Sequence, residues 1–323
     1  MSGLRKTKTC DLTLTANSYY DNDHRERNFH LRSFLRTTVI QTVASLHLDE
    51  VMLRRQRWRA SRGGPLVLVV EAHETLQRDA DQLRRQLEWV AKRFTLISPE
   101  TFFGLWDRTR TPPNWSNPAV LFTFDDGRES NYTVAAPLLE SMGTRGLFFV
   151  VPEFVGLKAQ GARDFYYSRI DPRGLTPSES PEQWTPMGPG QLADLTRRGH
   201  SIGNHTLSHV SLTGLSPSDR ERQIVASAAQ ISSWIGKSVE AFAWPYSWNA
   251  IDREAWDLIR RTHCFCFSPC PGTANSSKDS PHLIWRTEIE AYYSRPQYGF
   301  MYSGFADPAW AGRRRRLQAM LRA

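Results

Sequence analysis

Two short segments hold residue types that metal binding and acid–base chemistry require. Thr123-Phe-Asp-Asp-Gly127 ends an apolar run with two adjacent carboxylates. A strand points neighbouring side chains to opposite faces, and burial of two charges is costly, so the pair belongs at a strand end. There one carboxylate can face a metal while its neighbour faces substrate or water, and Gly127 lets the backbone turn sharply. Further along, Gly199-His-Ser-Ile-Gly-Asn-His-Thr-Leu-Ser-His209 sets His205 and His209 four residues apart. On a helical turn both imidazoles project from one face, a spacing suited to two ligands of a single Zn²⁺ or similar ion. Among nine histidines such a pair is a weak signal. Joined to a strand-end carboxylate, it makes a two-His, one-Asp site with open positions for water and substrate.

The elements that must position these residues alternate in period. Pro65 to Val70, Ala119 to Phe124, Gly146 to Pro152, Ser201-Ile202 and Ala241 to Trp244 read as strands, the longer ones covered on both faces. Asp79 to Phe94, Asn131 to Met142, Gly190 to Arg198, Ser216 to Ile235 and Ala250 to Arg261 read as helices. Short connections between alternating elements mean parallel β/α architecture, and about seven such units suit a barrel. The carboxylate pair then lies at the C-terminal strand ends, where such folds assemble their sites. Glu153 to Gly188 is the one long irregular segment, and a loop of that length usually shapes a binding site. The amphipathic pattern from Phe29 to Arg57 predicts a helix or helix pair, and the breaker cluster Ser61-Arg-Gly-Gly-Pro65 opens the main domain. The expected organisation is an N-terminal extension over 1–60, a main domain over 61–305 and a basic tail over 306–323.

Taken in order, these motifs resemble the polysaccharide deacetylases of the NodB-homology type, carbohydrate esterase family 4. Phe242-Ala-Trp-Pro-Tyr246 resembles that family's third motif in its aromatic-Pro-Tyr form, and Trp285-Arg-Thr-Glu-Ile289 resembles a later arginine-bearing segment. The resemblance covers roughly residues 65 to 290. It implies a distorted (β/α) barrel of about seven parallel strands that removes acetyl groups, mostly from N-acetylated amino sugars. It implies Asp126, His205 and His209 as ligands of a divalent metal, and Asp125 as the catalytic base. Zn²⁺ suits that donor set first, with Co²⁺, Ni²⁺ and Mn²⁺ compatible. It gives the oxyanion N–H to Tyr246, beside Trp244 and Pro245. The sequence departs from the commoner pattern at two places. Ala243 stands where the base-orienting arginine belongs, a role open to Arg286, and no Leu-x-His supplies the general acid. His73 is the acid candidate in the aromatic-Pro-Tyr branch, though Ala72 precedes it instead of Tyr, and His282 is a weaker second.

The chain has 323 residues, 40% hydrophobic and 23% charged, enough for one sizeable core. Its longest apolar runs fall far short of the roughly 20 residues of a membrane span, and Met1 to Asn17 lacks the apolar core of a secretory signal. A cytoplasmic or peripheral membrane location is therefore expected. The net charge of +8 concentrates in Arg54 to Arg62 and Arg313 to Arg316, which read first as solvated faces and a tail, with attraction to nucleic acid, acidic lipid or an anionic polymer as the functional alternatives. Nothing accompanies them that marks a nucleic-acid partner. Cys264-Phe-Cys-Phe-Ser-Pro-Cys270 reads as a strand with cysteines on one face and phenylalanines on the other. Trp244, Tyr246, Trp248 and Trp285 offer an aromatic wall for a sugar ring, with core packing as the default. The rival to a deacetylase is a carbohydrate-binding pseudoenzyme that keeps fold and metal but lacks the base orienter and acid.

Overall fold

The computed structural model describes residues 37–63, 66–107, 109, 117–172, 180–246 and 251–322. Among the described residues, those from Val43 onward cluster as one compact unit. The chain is helical over 37–45 and again, after two turn residues, in α1 (Leu48–Gly63). Eight strands follow: β1 (Val67–Ala72), β2 (Thr95–Leu96), β3 (Ala119–Phe124), β4 (Leu147–Val150), β5 (Ser201–Asn204), β6 (Ala241–Ala243), β7 (Phe265–Pro271) and β8 (Ile284–Glu288). The helices between and after them are α2 (Ala80–Ala91), α3 (Pro99–Trp106), α4 (Ala136–Ser141), α5 (Ala159–Phe165), α6 (Pro189–Arg197), α7 (Pro217–Glu221), α8 (Ser227–Ile235), α9 (Arg253–Thr262), α10 (Arg295–Ser303) and α11 (Asp307–Arg322).

All strand pairings are parallel, and the ring closes because β1 pairs with both β3 and β8. Seven strands make the barrel. The two-residue β2 lies on the same edge of β3 as β4, pairing at Ala119 while β4 pairs at Thr123. Strand alternation sorts the apolar residues into layers. Val67, Val69, Leu121, Phe149, Ala243, Phe265 and Phe267 fill the barrel interior, where α3 adds Phe102 and Trp106. Their neighbours Leu68, Val70, Phe122, Phe124, Phe148 and Val150 face outward under the helices. Phe242, Cys266 and Cys270 pack outward with Trp244, Trp256 and Trp285, so the Cys/Phe alternation of β7 is a packing pattern, as expected. No described helix is long and apolar enough to cross a membrane.

Three elements are not foreseen in the sequence. β8 carries a mixed Ile-Trp-Arg-Thr-Glu sequence, which hid it, because its arginine points into the barrel where an apolar side chain would be expected. The segment read as irregular holds α5, prolonged by a π-helical turn to Ile170. Its buried stripe is short, Ala162 and Tyr166 packed with Val151 and Phe154, too little to register as a period. The expected basic tail is α11, whose Leu317 and Leu321 are buried beside Trp256, while Arg314 bonds the Asp307 carboxylate and the Pro271 carbonyl. The arginine run masked that apolar spacing.

Gly203 faces inward on β5, where an added Cβ would sit 2.4 Å from Phe149. Overpacking of this kind costs typically about 1–3 kcal/mol. Gly203→Ala should therefore lower the free energy of unfolding measured by urea titration by that amount, and an unchanged value would contradict the interior packing.

Candidate active site

The inward parity of the strands continues past their ends. After Val67 and Val69 comes Glu71; after Ala119 and Leu121 come Thr123 and Asp125; after Gly203 comes His205; and Arg286 follows Ile284 on β8. These side chains converge at the C-terminal mouth of the barrel.

Arg286 is the hub and is fully buried, at 0% exposure. Its Nη1 donates to Asp125 Oδ1 at 2.7 Å and its Nη2 to Asp125 Oδ2 at 2.8 Å, a bidentate clamp. Nη2 also reaches Glu71 Oε1 at 3.0 Å, and the guanidinium lies over the Phe149 ring. Burial favours the neutral acid at Asp125, but Arg286, with His205 beyond it, holds that carboxyl below its ordinary range. At Glu71 burial prevails over the same arginine and pushes the carboxyl up to about 7.

Asp126 turns away from its neighbour because its backbone is left-handed, with φ 73°. Arg128 donates to its Oδ2 at 3.0 Å, and to Glu74 Oε1 at 3.0 Å, and stacks on Tyr166. Burial opposes ionisation of Asp126, yet Arg128 holds it well below the usual carboxylate range. Its Oδ1 lies 3.6 Å from His209 Nε2 and 3.9 Å from His205 Nε2.

The two histidines are not on a helical turn, as their spacing suggested. They lie on a loop after β5 that needs left-handed backbone at Thr206 (φ 67°) and His209 (φ 52°). Local hydrogen bonding competes with helix here. Asn204 Oδ1 accepts from the Thr206 N–H, and Gln223, on the π-helical turn between α7 and α8, bonds Leu207 and Ser208. Each imidazole donates from Nδ1 to a carbonyl, His205 to Ala243 at 3.0 Å and His209 to Arg169 at 2.9 Å, which leaves Nε2 with its lone pair. Burial pushes His209 down to about 4, so it is neutral near pH 7.

The ligand atoms of Asp126, His205 and His209 lie within 4.8 Å of one another. Two imidazoles, pinned by carbonyls, and an ionised carboxylate suit a divalent ion with open positions. A second group, Glu71, His73 and Asp125, is equally close, but both carboxylates there are already bonded to Arg286.

His73, half-buried, follows β1 and bonds Glu290 Oε1 through Nδ1 at 2.7 Å. Tyr246, after β6 with φ 63°, sets its ring 4.7 Å from that of His209, and its hydroxyl is 2.7 Å from the His209 carbonyl. Trp244 does not line a sugar site. It is 2% exposed, and its indole N–H donates to Cys266 Sγ in the outer packing layer, on the opposite side of β6 from the barrel interior. Trp285 packs in the same layer, Pro245 is buried, and Trp248 lies outside the described residues. His282 bonds the His263 carbonyl just before β7, at the opposite end of the barrel. Sequence reasoning missed Glu71, Glu74, Arg128 and Glu290. Glu71 alone had a signal, as the single charge at an inward position of an otherwise apolar strand.

A family model describing polysaccharide deacetylases matches residues 114–263. The polysaccharide deacetylase homologue YxkH of Bacillus subtilis (strain 168) is 23% identical over 177 residues, and the match covers 54% of this chain and 53% of that protein, so it spans about half its relative's length. Among solved structures, IcaB from Ammonifex degensii superposes with a TM-score of 0.56 at 19% identity, over 75% of this chain and 97% of its own. The Streptococcus pyogenes deacetylase PplD, solved in complex with acetate, gives 0.54 at 17%, over 72% and 95%. These likenesses are likenesses of fold. With the family match over β3 to α9, they show a NodB-like barrel in a chain that is similar to polysaccharide deacetylases over that span.

Proposed function

We propose that this mouth hydrolyses the N-acetyl amide of an amino sugar within an oligo- or polysaccharide or a glycan precursor, with a divalent metal held by Asp126, His205 and His209. The observation that carries the reading is the clamped carboxylate beside the ligand triad: Asp125 is ionised, oriented through both oxygens by Arg286, and 3.7 Å from His205 Nε2. Zn²⁺ fits the donor set first. A bound ion supplies Lewis acidity toward the amide carbonyl and toward water.

The remaining steps belong to the chain. Asp125 takes the proton of the attacking water, and Arg286 fixes the direction in which its oxygens point. Tyr246 N–H is the donor we assign to the developing oxyanion at the end of β6. His73 gives a proton to the leaving nitrogen, and Glu290 keeps it charged for that purpose. Burial disfavours the imidazolium at His73, but the Glu290 carboxylate outweighs burial and holds His73 well above its ordinary range. The pseudoenzyme reading rests on two absences, the arginine missing at Ala243 and the missing Leu-x-His acid, for which His73 is the candidate replacement. Arg286 reaches the same carboxylate from β8, while Ala243 contributes the carbonyl that orients His205.

Asp125→Asn should lower acetate release by about 10²–10⁴-fold with metal content unchanged, whereas His205→Ala should lose both. Hydrolysis retained in Asp125→Asn sinks the assignment of the base. The His73–Glu290 pair has its own signature. A folded-state value above that of the unfolded chain gives stability that is complete below about pH 6.5 and is lost as pH rises through the raised value. In Glu290→Gln the His73 titration followed by NMR should fall to or below the ordinary imidazole range. An unmoved midpoint would show that Glu290 does not set the charge of His73.

A further inference from the structure

The outward face of α1 carries a pattern that the barrel chemistry does not use. Its inner stripe, Asp49, Leu53 and Ala60, is buried, and Gln56 bonds the carbonyls of Tyr302 and Ser303 at the end of α10. The opposite stripe presents Val51, Arg54, Arg55, Trp58, Arg59 and Arg62, all exposed, with Val51 at 57% and Trp58 at 56%. At 100° per residue these six positions share one side of the helix. The acidic residues of α1 are taken up elsewhere: Asp49 pairs with Arg295, and Glu50 with Arg93 and Arg295. None of the four exposed arginines makes an ion pair with a described residue, and Arg62 instead lies over the Trp58 ring at 4.7 Å.

We propose that this face of α1 docks the protein on an anionic phospholipid surface. Charge complementarity selects the partner's sign: four unpaired guanidiniums face outward with no acid among them, and guanidinium pairs well with phosphate. The interleaved Val51 and Trp58 select lipid over other polyanions, because an indole and a branched aliphatic group gain by entering the interface between headgroup and acyl chain, with arginines beside them at phosphate level. One aromatic anchor and four charges make such docking reversible and salt-sensitive. The orientation is compatible with turnover. α1 ends at Gly63 and β1 begins at Val67, so the basic half of α1 lies toward the N-terminal strand ends. The mouth with Asp125 and His205 is at the other end. The inference is independent of which glycan the mouth accepts.

The test is co-sedimentation of the full chain with phosphatidylcholine vesicles and with the same vesicles enriched in phosphatidylglycerol, at low and high salt. Binding is expected only to the anionic vesicles and only at low salt. Each arginine at such a surface contributes about fivefold, so Arg55→Gln/Arg59→Gln should weaken binding about 25-fold. Arg55→Lys/Arg59→Lys, which keeps the charge, should bind nearly as wild type, and Trp58→Ala should weaken binding at constant charge. Thermal midpoints of all variants should match, since these side chains are exposed. Equal loss in Arg315→Gln/Arg316→Gln on α11 would reduce the effect to net charge and overturn the assignment to α1. So would unchanged binding in the α1 variants, equal binding to zwitterionic vesicles, or tighter binding to a single-stranded oligonucleotide that responds to the same substitutions.

Discussion

The structure is organised around one buried cation. Arg286 rises from the inside of β8 and bonds carboxylates that top β3 and β1, Asp125 and Glu71. β1 pairs with both of the strands that flank it in the ring, β3 and β8, so the same three strands that close the barrel are tied through their side chains at the mouth. A buried pair of this kind is maintained by geometry: removal of one partner leaves an uncompensated charge and costs about 3–5 kcal/mol. The clamp also decides which carboxylate does what. Asp125, with both oxygens held and a cation beside it, stays ionised despite its burial, whereas Asp126 is swung by left-handed backbone toward the histidines.

The mouth thereby divides into two halves with separate supports. On the histidine side, backbone carbonyls of Ala243 and Arg169 set the imidazole tautomers, and side chains from the π-helical turn between α7 and α8 hold the loop. Left-handed residues cluster here, at Asp126, Thr206, His209 and Tyr246, four of the six such non-glycine positions described. Backbone strain persists only where surrounding structure over-determines it, and that support is visible in the bonds of Asn204 and Gln223. On the other side, Glu290 fixes His73 and bonds the backbone N–H groups of His73 and Glu74. Arg128 joins the two halves through Asp126 and Glu74.

Much of the fold was legible because parallel strands leave a strong trace. Ala119 to Phe124 has no polar alternation, being covered on both faces, and its boundaries agree with β3. β8 left no such trace, since its functional residue occupies an interior position. α11 was hidden by its arginines, and β2 is too short to have a pattern. Asp125, Asp126, His205 and His209 stood out because a strand-end carboxylate pair and a histidine pair occur together, in the order of the motifs they resemble. Their supports were not. Arg128, Glu74 and Glu290 act through contacts between residues far apart in sequence, and the carbonyls of Ala243 and Arg169 carry no side-chain signal at all. The histidine spacing suggested a helix, whereas local hydrogen bonds from Asn204 and Gln223 impose a loop that reaches the same convergence. Trp244 shows the opposite error: a motif position implied a sugar contact, while strand parity placed the indole in the outer packing layer.

The central claim is that the clamped carboxylate and the three-ligand group act together as a metal-dependent deacetylase. The most direct measurement is acetate release from N-acetylglucosamine oligomers by protein stripped of metal with a chelator and then reloaded with Zn²⁺ or Co²⁺. Release that is absent in the stripped protein and restored on reloading is the predicted result. Equal release with and without metal, or none from protein shown to have bound the ion, would contradict it.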